Sequence, residues 1–147
     1  DNMRMFKSVS YYVQQMYATN KGTHVLSLTT PAKTKKGKPQ PVANQEGQNG
    51  LFASAAFDKD ANEVIVKVVN TSKSEQAITL NLKDLTGADT AQTLTLSHQG
   101  LDDENSIQHP ELITPKKGSV AVEAGKKQSV INDLLPAMSF RIYRIKK

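Results

Sequence analysis

The sequence contains no cysteine and no tryptophan. Without cysteine the chain can form no internal disulfide, thiolate nucleophile or cysteine-ligated zinc site, and it gives no evidence about the redox compartment. No stretch approaches about 18 consecutive apolar residues, and the first residues lack the charged, apolar and small-residue succession of a signal peptide. We therefore expect a soluble segment with no membrane partner. Its localisation stays open between the periplasm, the cell exterior and the cytoplasm.

Positive charge is in excess, with a formal net charge of +5, but it is not gathered into one patterned surface. The densest run, Lys33, Lys35, Lys36 and Lys38, lies among prolines and a glycine, a composition typical of a solvated loop. Contact with phosphates or a membrane surface is the alternative. Because no aromatic residues are interleaved with these lysines, the stacking platforms that single-stranded nucleic acids need are missing. We predict no nucleic-acid partner.

One helical face is apolar between Ser8 and Gly22. Its members fall at i, i+3, i+4, i+7 and i+8, and they are Val9, Tyr12, Val13, Met16 and Tyr17. Ser8 or Ser10 can cap the start of this segment, while Asn20 and Gly22 can supply left-handed geometry at its end. The pattern predicts one amphipathic helix.

Beyond this helix the apolar period becomes that of strands. The run His24–Thr29 alternates like a half-buried strand. The stretch 31–50 is rich in Pro, Gly, Lys, Gln and Asn and predicts a long flexible loop. Leu51–Phe57 and Glu63–Val69 flank a polar turn, so we predict a hairpin.

More short β-like runs follow, at Ala77–Leu82, Thr93–Leu96, Val120–Val122 and Ser139–Ile145. In the last run Phe140 and Ile142 share one face, and Arg141, Tyr143 and Ile145 share the other. Repeated short strands with a single helix predict a mainly β fold, an antiparallel jelly-roll-like β-sandwich with one N-terminal α-helix. The helix either packs on one of the sheets or belongs to a body upstream.

Three longer stretches keep their order and spacing over nearly the whole chain. They are Tyr11–Tyr17 with Asn20–Gly22 and Val25–Leu26, Gly50–Ala55 with Glu63–Asn70, and Asp103–Pro115 with Leu134–Phe140. Together they resemble the C-terminal region of α-L-arabinofuranosidases of glycoside hydrolase family 51. The resemblance implies that residues 1–22 are a remnant of the last helix of an upstream catalytic barrel. Residues 23–147 would then be the C-terminal β-sandwich, with its long flexible loop at 31–50.

The resemblance also implies an activity for the parent enzyme, the retaining release of terminal arabinofuranose from arabinan and arabinoxylan. The family places both catalytic carboxyl groups on strands of the barrel, so no catalytic residue can be carried onto this sequence. We expect the segment alone to be inactive and to support the barrel of the same polypeptide, with homo-oligomerisation as a further role. A carbohydrate-binding or interaction module is the alternative.

Two sets of residues are candidates for contact with the barrel. The docking candidates on the helix are Tyr11, Tyr12, Val13, Met16 and Tyr17. The family-motif loop contributes Glu104, Asn105, Ser106, Pro110 and Pro115. Asn and Ser can bond neighbouring backbone groups and proline fixes extended geometry, so this loop either holds strands in register or touches the barrel near its substrate entrance.

Other groups that could carry chemistry are sparse. Asp102, Asp103 and Glu104 are sequence neighbours whose side chains diverge on an extended chain. His24, His98 and His109 are too far apart in sequence for a two-ligand helical spacing. We predict no metal or cofactor site.

Exposed aromatic residues would be the main sequence evidence for a sugar-binding surface. Carbohydrate-binding surfaces use exposed aromatic rings that stack on apolar sugar faces. Once the helical stripe and the core strands are assigned, mainly Phe6, Tyr11 and Tyr143 are left for such a surface.

Overall fold

The computed structural model describes residues 4–30, 40–41, 50–100 and 102–147. The described part contains one helix, α1 (Val9–Thr19). Its strands are β1 (His24–Leu26), β2 (Thr29–Thr30), β3 (Gln40–Pro41), β4 (Leu51–Asp58), β5 (Glu63–Asn70), β6 (Gln76–Lys83), β7 (Thr90–Ser97), β8 (Lys116–Ala121), β9 (Glu123–Ala124), β10 (Gln128–Leu135) and β11 (Ser139–Lys146). The predicted mainly β fold is confirmed.

The larger sheet has six strands in the order β1-β4-β5-β11-β7-β8, and all its pairings are antiparallel. The predicted hairpin is confirmed as β4 and β5. Asp58 closes its turn, because its carboxylate accepts hydrogen bonds from the backbone N–H groups of Asp60 and Ala61. Asn62 takes the left-handed conformation that the turn requires, with a φ of 53°.

A smaller sheet in the order β6-β10-β9 faces the larger one, and the sandwich core lies between them. Ile131 and Leu135 from the smaller sheet and Tyr143 and Ile145 from the larger are all completely buried. Burying side chains of this size stabilises the fold by about 1.5–3 kcal/mol each.

A second core lies on the opposite face of the larger sheet, under α1. Phe140 and Ile142 point to this side of β11, while Tyr143 and Ile145 point into the sandwich. The alternation predicted for this strand is therefore confirmed. Both faces of β11 are buried, as expected for a strand in the middle of a three-layer arrangement.

The two ends of α1 are fixed by different side-chain hydrogen bonds. Ser8 caps the start as predicted, since its hydroxyl accepts a 3.1 Å hydrogen bond from the N–H of Tyr11. The prediction of left-handed geometry at the other end is wrong, because Asn20 has a φ of −119°. Its side chain ends the helix instead by donating a 2.9 Å hydrogen bond to the carbonyl of Met16.

Two other predictions need correction or fall outside the described residues, and one strand was not predicted. The run His24–Thr29 is not one half-buried strand, because β1 is an edge strand whose Val25 is 92% exposed. Most of the 31–50 loop lies outside the described residues, and inside it Gln40–Pro41 pairs with β2. The sequence did not predict β10, which is the central strand of the smaller sheet.

Candidate functional site

The helical docking candidates divide into buried and exposed residues. Tyr12 and Met16 are 9% and 1% exposed, because they pack on the outer face of the larger sheet. Val13 is half-buried on the same core. Tyr11 and Tyr17 are more than 40% exposed and lie on the surface. The structure therefore shows the helix packed on a sheet of its own chain.

Tyr17 helps to hold α1 in place although it is exposed. Its ring stacks on Phe140 of β11 with a centroid distance of 4.8 Å. The ammonium group of Lys67, on β5, lies 4.7 Å from the centre of the same ring. Burial lowers the pKa of Lys67 from its ordinary value. One ring thus contacts two strands of the sheet below the helix.

The family-motif loop is organised around Asn105, which is 2% exposed. Its amide nitrogen donates 2.8 Å hydrogen bonds to the carbonyls of Lys7 and Ile113, and its amide oxygen accepts a 2.7 Å bond from the N–H of Ile113. Ser106 forms a local turn with His109 through both its backbone and its hydroxyl. These contacts are those of a shaped loop.

The remaining residues of this loop are more accessible. Glu104 and Pro110 are exposed, and Pro115 is half-buried. The loop therefore combines one fixed anchor with an open surface. Contact of this surface with a barrel remains a prediction.

A groove of about 500 Å³ lies between the start of α1, the neighbouring ends of β5, β7 and β11, and the loop after β7. Its floor is apolar and consists of Val9, Val13, Val69, Leu96, Ile113 and Phe140. Its rim includes Phe6, Met138, His98, Asp103 and Glu104. The sequence analysis gave no role to this groove.

The polar rim contains one histidine–carboxylate contact. The Nε2 of His98 lies 2.7 Å from the Oδ2 of Asp103, and both side chains are partly exposed. Asp103 also approaches Gly100 closely, so it shapes the turn after β7. Asp102, Asp103 and Glu104 lie in the loop after β7. Among the described residues, no third side chain is placed beside this pair as a catalytic triad would require.

Two other clusters of charged side chains connect separate elements of the fold. At one end of the sandwich Arg144 donates a 2.6 Å hydrogen bond to Glu63, lies 3.7 Å from the carboxylate of Asp58 and donates to Asn20. The two carboxylates face each other across the β4–β5 pair and share one guanidinium group. Their positive partner and the turn bonds of Asp58 give them structural roles.

The second group lies inside the sandwich. Asp133 of β10 accepts 2.6 Å hydrogen bonds from Arg141 and from the hydroxyl of Tyr143, both on β11. Arg141 also donates to Thr95 of β7. Burial, followed by the contacts with Asp133, raises the pKa of Tyr143 well above its ordinary value of 10.0. This group joins the two sheets.

The position of Tyr143 corrects one prediction. The sequence analysis kept Tyr143 as a candidate for a sugar-binding surface, but its side chain is completely buried. The alternation of β11 predicted that Tyr143 and Phe140 lie on different faces of the strand. It did not indicate that the face with Tyr143 is also buried inside the fold. Phe6 and Tyr11 remain exposed, at 44% and 43%.

The part of the chain that the structure describes holds no group of three or more His, Cys, Asp or Glu side chains arranged for a metal ion. Within the same residues, no helix has the length and apolar content that crossing a bilayer requires.

Comparison with known proteins identifies the domain. No curated protein matches the sequence. Similar solved structures include the arabinose-bound α-L-arabinofuranosidase MgGH51, with a TM-score of 0.72 and 18% identity over 99% of this chain and 20% of that one. The GH51 arabinofuranosidase of Xanthomonas axonopodis pv. citri has a TM-score of 0.68 and 18% identity over 99% and 28%. The α-L-arabinofuranosidase of Thermotoga maritima, in an arabinose complex, has a TM-score of 0.67 and 14% identity over 97% and 30%.

These structures show a shared fold, and this chain spans less than a third of the length of each. The family model described as the α-L-arabinofuranosidase C-terminal domain matches residues 1–139. The chain therefore belongs to the α-L-arabinofuranosidase C-terminal domain family.

Proposed function

We propose that this chain is the non-catalytic C-terminal β-sandwich of an α-L-arabinofuranosidase that hydrolyses terminal α-L-arabinofuranosides in arabinan and arabinoxylan. Its role is to support the catalytic barrel of the same polypeptide. The observation that carries the proposal is the match of the domain model to residues 1–139. The fold shared with much longer arabinofuranosidases supports it.

The carboxylates of the described residues support the non-catalytic role. A retaining glycosidase needs two carboxyl groups about 5 Å apart with a sugar between them. Asp58 and Glu63 are cross-strand neighbours, but Arg144 lies against both. Asp133 is occupied by Arg141 and Tyr143 inside the fold. These acids hold the domain together.

The position of α1 supports a division near residue 22. The helix covers the outer core of the larger sheet with Tyr12 and Met16, while the ring of the neighbouring Tyr11 is exposed. A helix with both a buried and an exposed aromatic side can lie between two bodies. In this proposal residues 1–22 are the last barrel helix, packed on the sandwich that follows it.

The test compares the intact polypeptide with the 147-residue chain. Arabinose release from arabinan, arabinoxylan and a chromogenic arabinofuranoside is measured for both at equal concentration. We expect activity from the intact polypeptide and none from the chain alone. Release by the isolated chain would contradict the non-catalytic role, and an intact polypeptide inactive on all three substrates would contradict the parent activity.

A further role in homo-oligomerisation is included in the proposal. The exposed Tyr11, together with Val25 of the edge strand β1, offers apolar surface that a second copy could cover. Light scattering of the intact polypeptide before and after Val25→Lys measures this role. A monomer in both cases would exclude it.

A further inference from the structure

We draw no further inference here: the strongest candidate, the exposed row of Thr79, Asn132 and Glu123 that hydrogen bonds join across the outer face of the smaller sheet, carries nothing, because nothing in the described part of the chain shows what covers this face.

Discussion

The side-chain amide of Asn105 donates a 2.8 Å hydrogen bond to the main-chain oxygen of Lys7, 98 residues earlier in the sequence. The same side chain holds the backbone of Ile113 through a donor and an acceptor. One buried amide thus joins the segment that leads into α1, the loop after β7 and the approach to β8. The position of the segment before the helix depends on this residue as well as on the helix itself.

Replacing Asn105 should cost far more stability than its small size suggests. Asn105→Asp fits the same space but cannot donate, so the carbonyls of Lys7 and Ile113 would face a carboxylate. We expect the free energy of unfolding to fall by about 3 kcal/mol, the cost of unpaired buried polar groups. Urea denaturation followed by circular dichroism measures it. Asn81→Asp, on the exposed face of β6, is the control and should change stability by about 0.5 kcal/mol or less.

The contacts inside the sandwich should not be equally important. In Tyr143→Phe, Asp133 keeps its 2.6 Å bond to Arg141, so the loss should be about 1 kcal/mol. In Arg141→Leu the largely buried carboxylate loses its counter-charge, and we expect a loss of about 3 kcal/mol. Asp133→Asn combined with Arg141→Leu should recover part of this loss. Equal losses for the two single variants in urea denaturation would argue against Arg141 as the main partner.

Alkaline pH should weaken the fold through Tyr143. Its pKa is raised above 10.0 by burial and by Asp133, so the folded state keeps the proton after the unfolded chain has released it. Below pH 10 both states are protonated and the group adds no pH dependence. Above it the free energy of unfolding should fall by up to about 1.4 kcal/mol per pH unit from this residue. The difference between the wild type and Tyr143→Phe, measured in urea at pH 9, 10 and 11, isolates this contribution, and a constant difference would contradict it.

The sequence predicted strands that have a period-two apolar pattern on at least one face, and it missed one strand, β10, whose core-facing side chains are half polar. In β10 the inward positions are Ser129, Ile131, Asp133 and Leu135, so half of them are polar. The two polar side chains, Ser129 and Asp133, can be buried because they form hydrogen bonds with residues far away in the sequence. Ser129 donates to the carbonyl of Leu85, and Asp133 accepts from β11. A period-two apolar pattern cannot reveal partners that only the tertiary fold provides.

The candidate site shows the same limit. The sequence indicated that Asn105 would bond backbone groups, which is a local property of asparagine. It could not indicate that one of these groups belongs to Lys7, since that contact depends on how the helix packs. The groove was missed for the same reason, because its floor combines residues of α1, β5, β7 and β11.

The docking candidates on the helix should differ in how much they contribute to stability. Met16 is 1% exposed on the outer core, so Met16→Ala should lower the free energy of unfolding by about 2–4 kcal/mol. Tyr11 is 43% exposed, and Tyr11→Ala should cost about 1 kcal/mol or less in the isolated chain. Thermal unfolding of the two variants beside the wild type checks the order. A larger loss for Tyr11→Ala would mean that the helix does not pack on the sheet in solution.

Gly22 is needed for close approach to β4 and not for left-handed geometry. A Cβ at this position would lie 2.6 Å from the Cβ of Ala56 and 2.8 Å from the carbonyl oxygen of Phe57. That oxygen also accepts a 2.8 Å bond from the N–H of Thr23, so the strands cannot separate without loss. Gly22→Ala should therefore lower the free energy of unfolding by about 2 kcal/mol.

The Gly22→Ala effect should be local as well as global. Amide hydrogen exchange should accelerate at Thr23 and at Lys59, whose N–H donates to the hydroxyl of Thr23. Protection in the centre of β11 should fall only by the global loss of stability. Lys21→Ala, at the exposed neighbouring position, should leave both measurements unchanged. Unaltered exchange at Thr23 in Gly22→Ala would show that β1 and β4 lie farther apart than in this structure, because only a wider gap could accept the added methyl group.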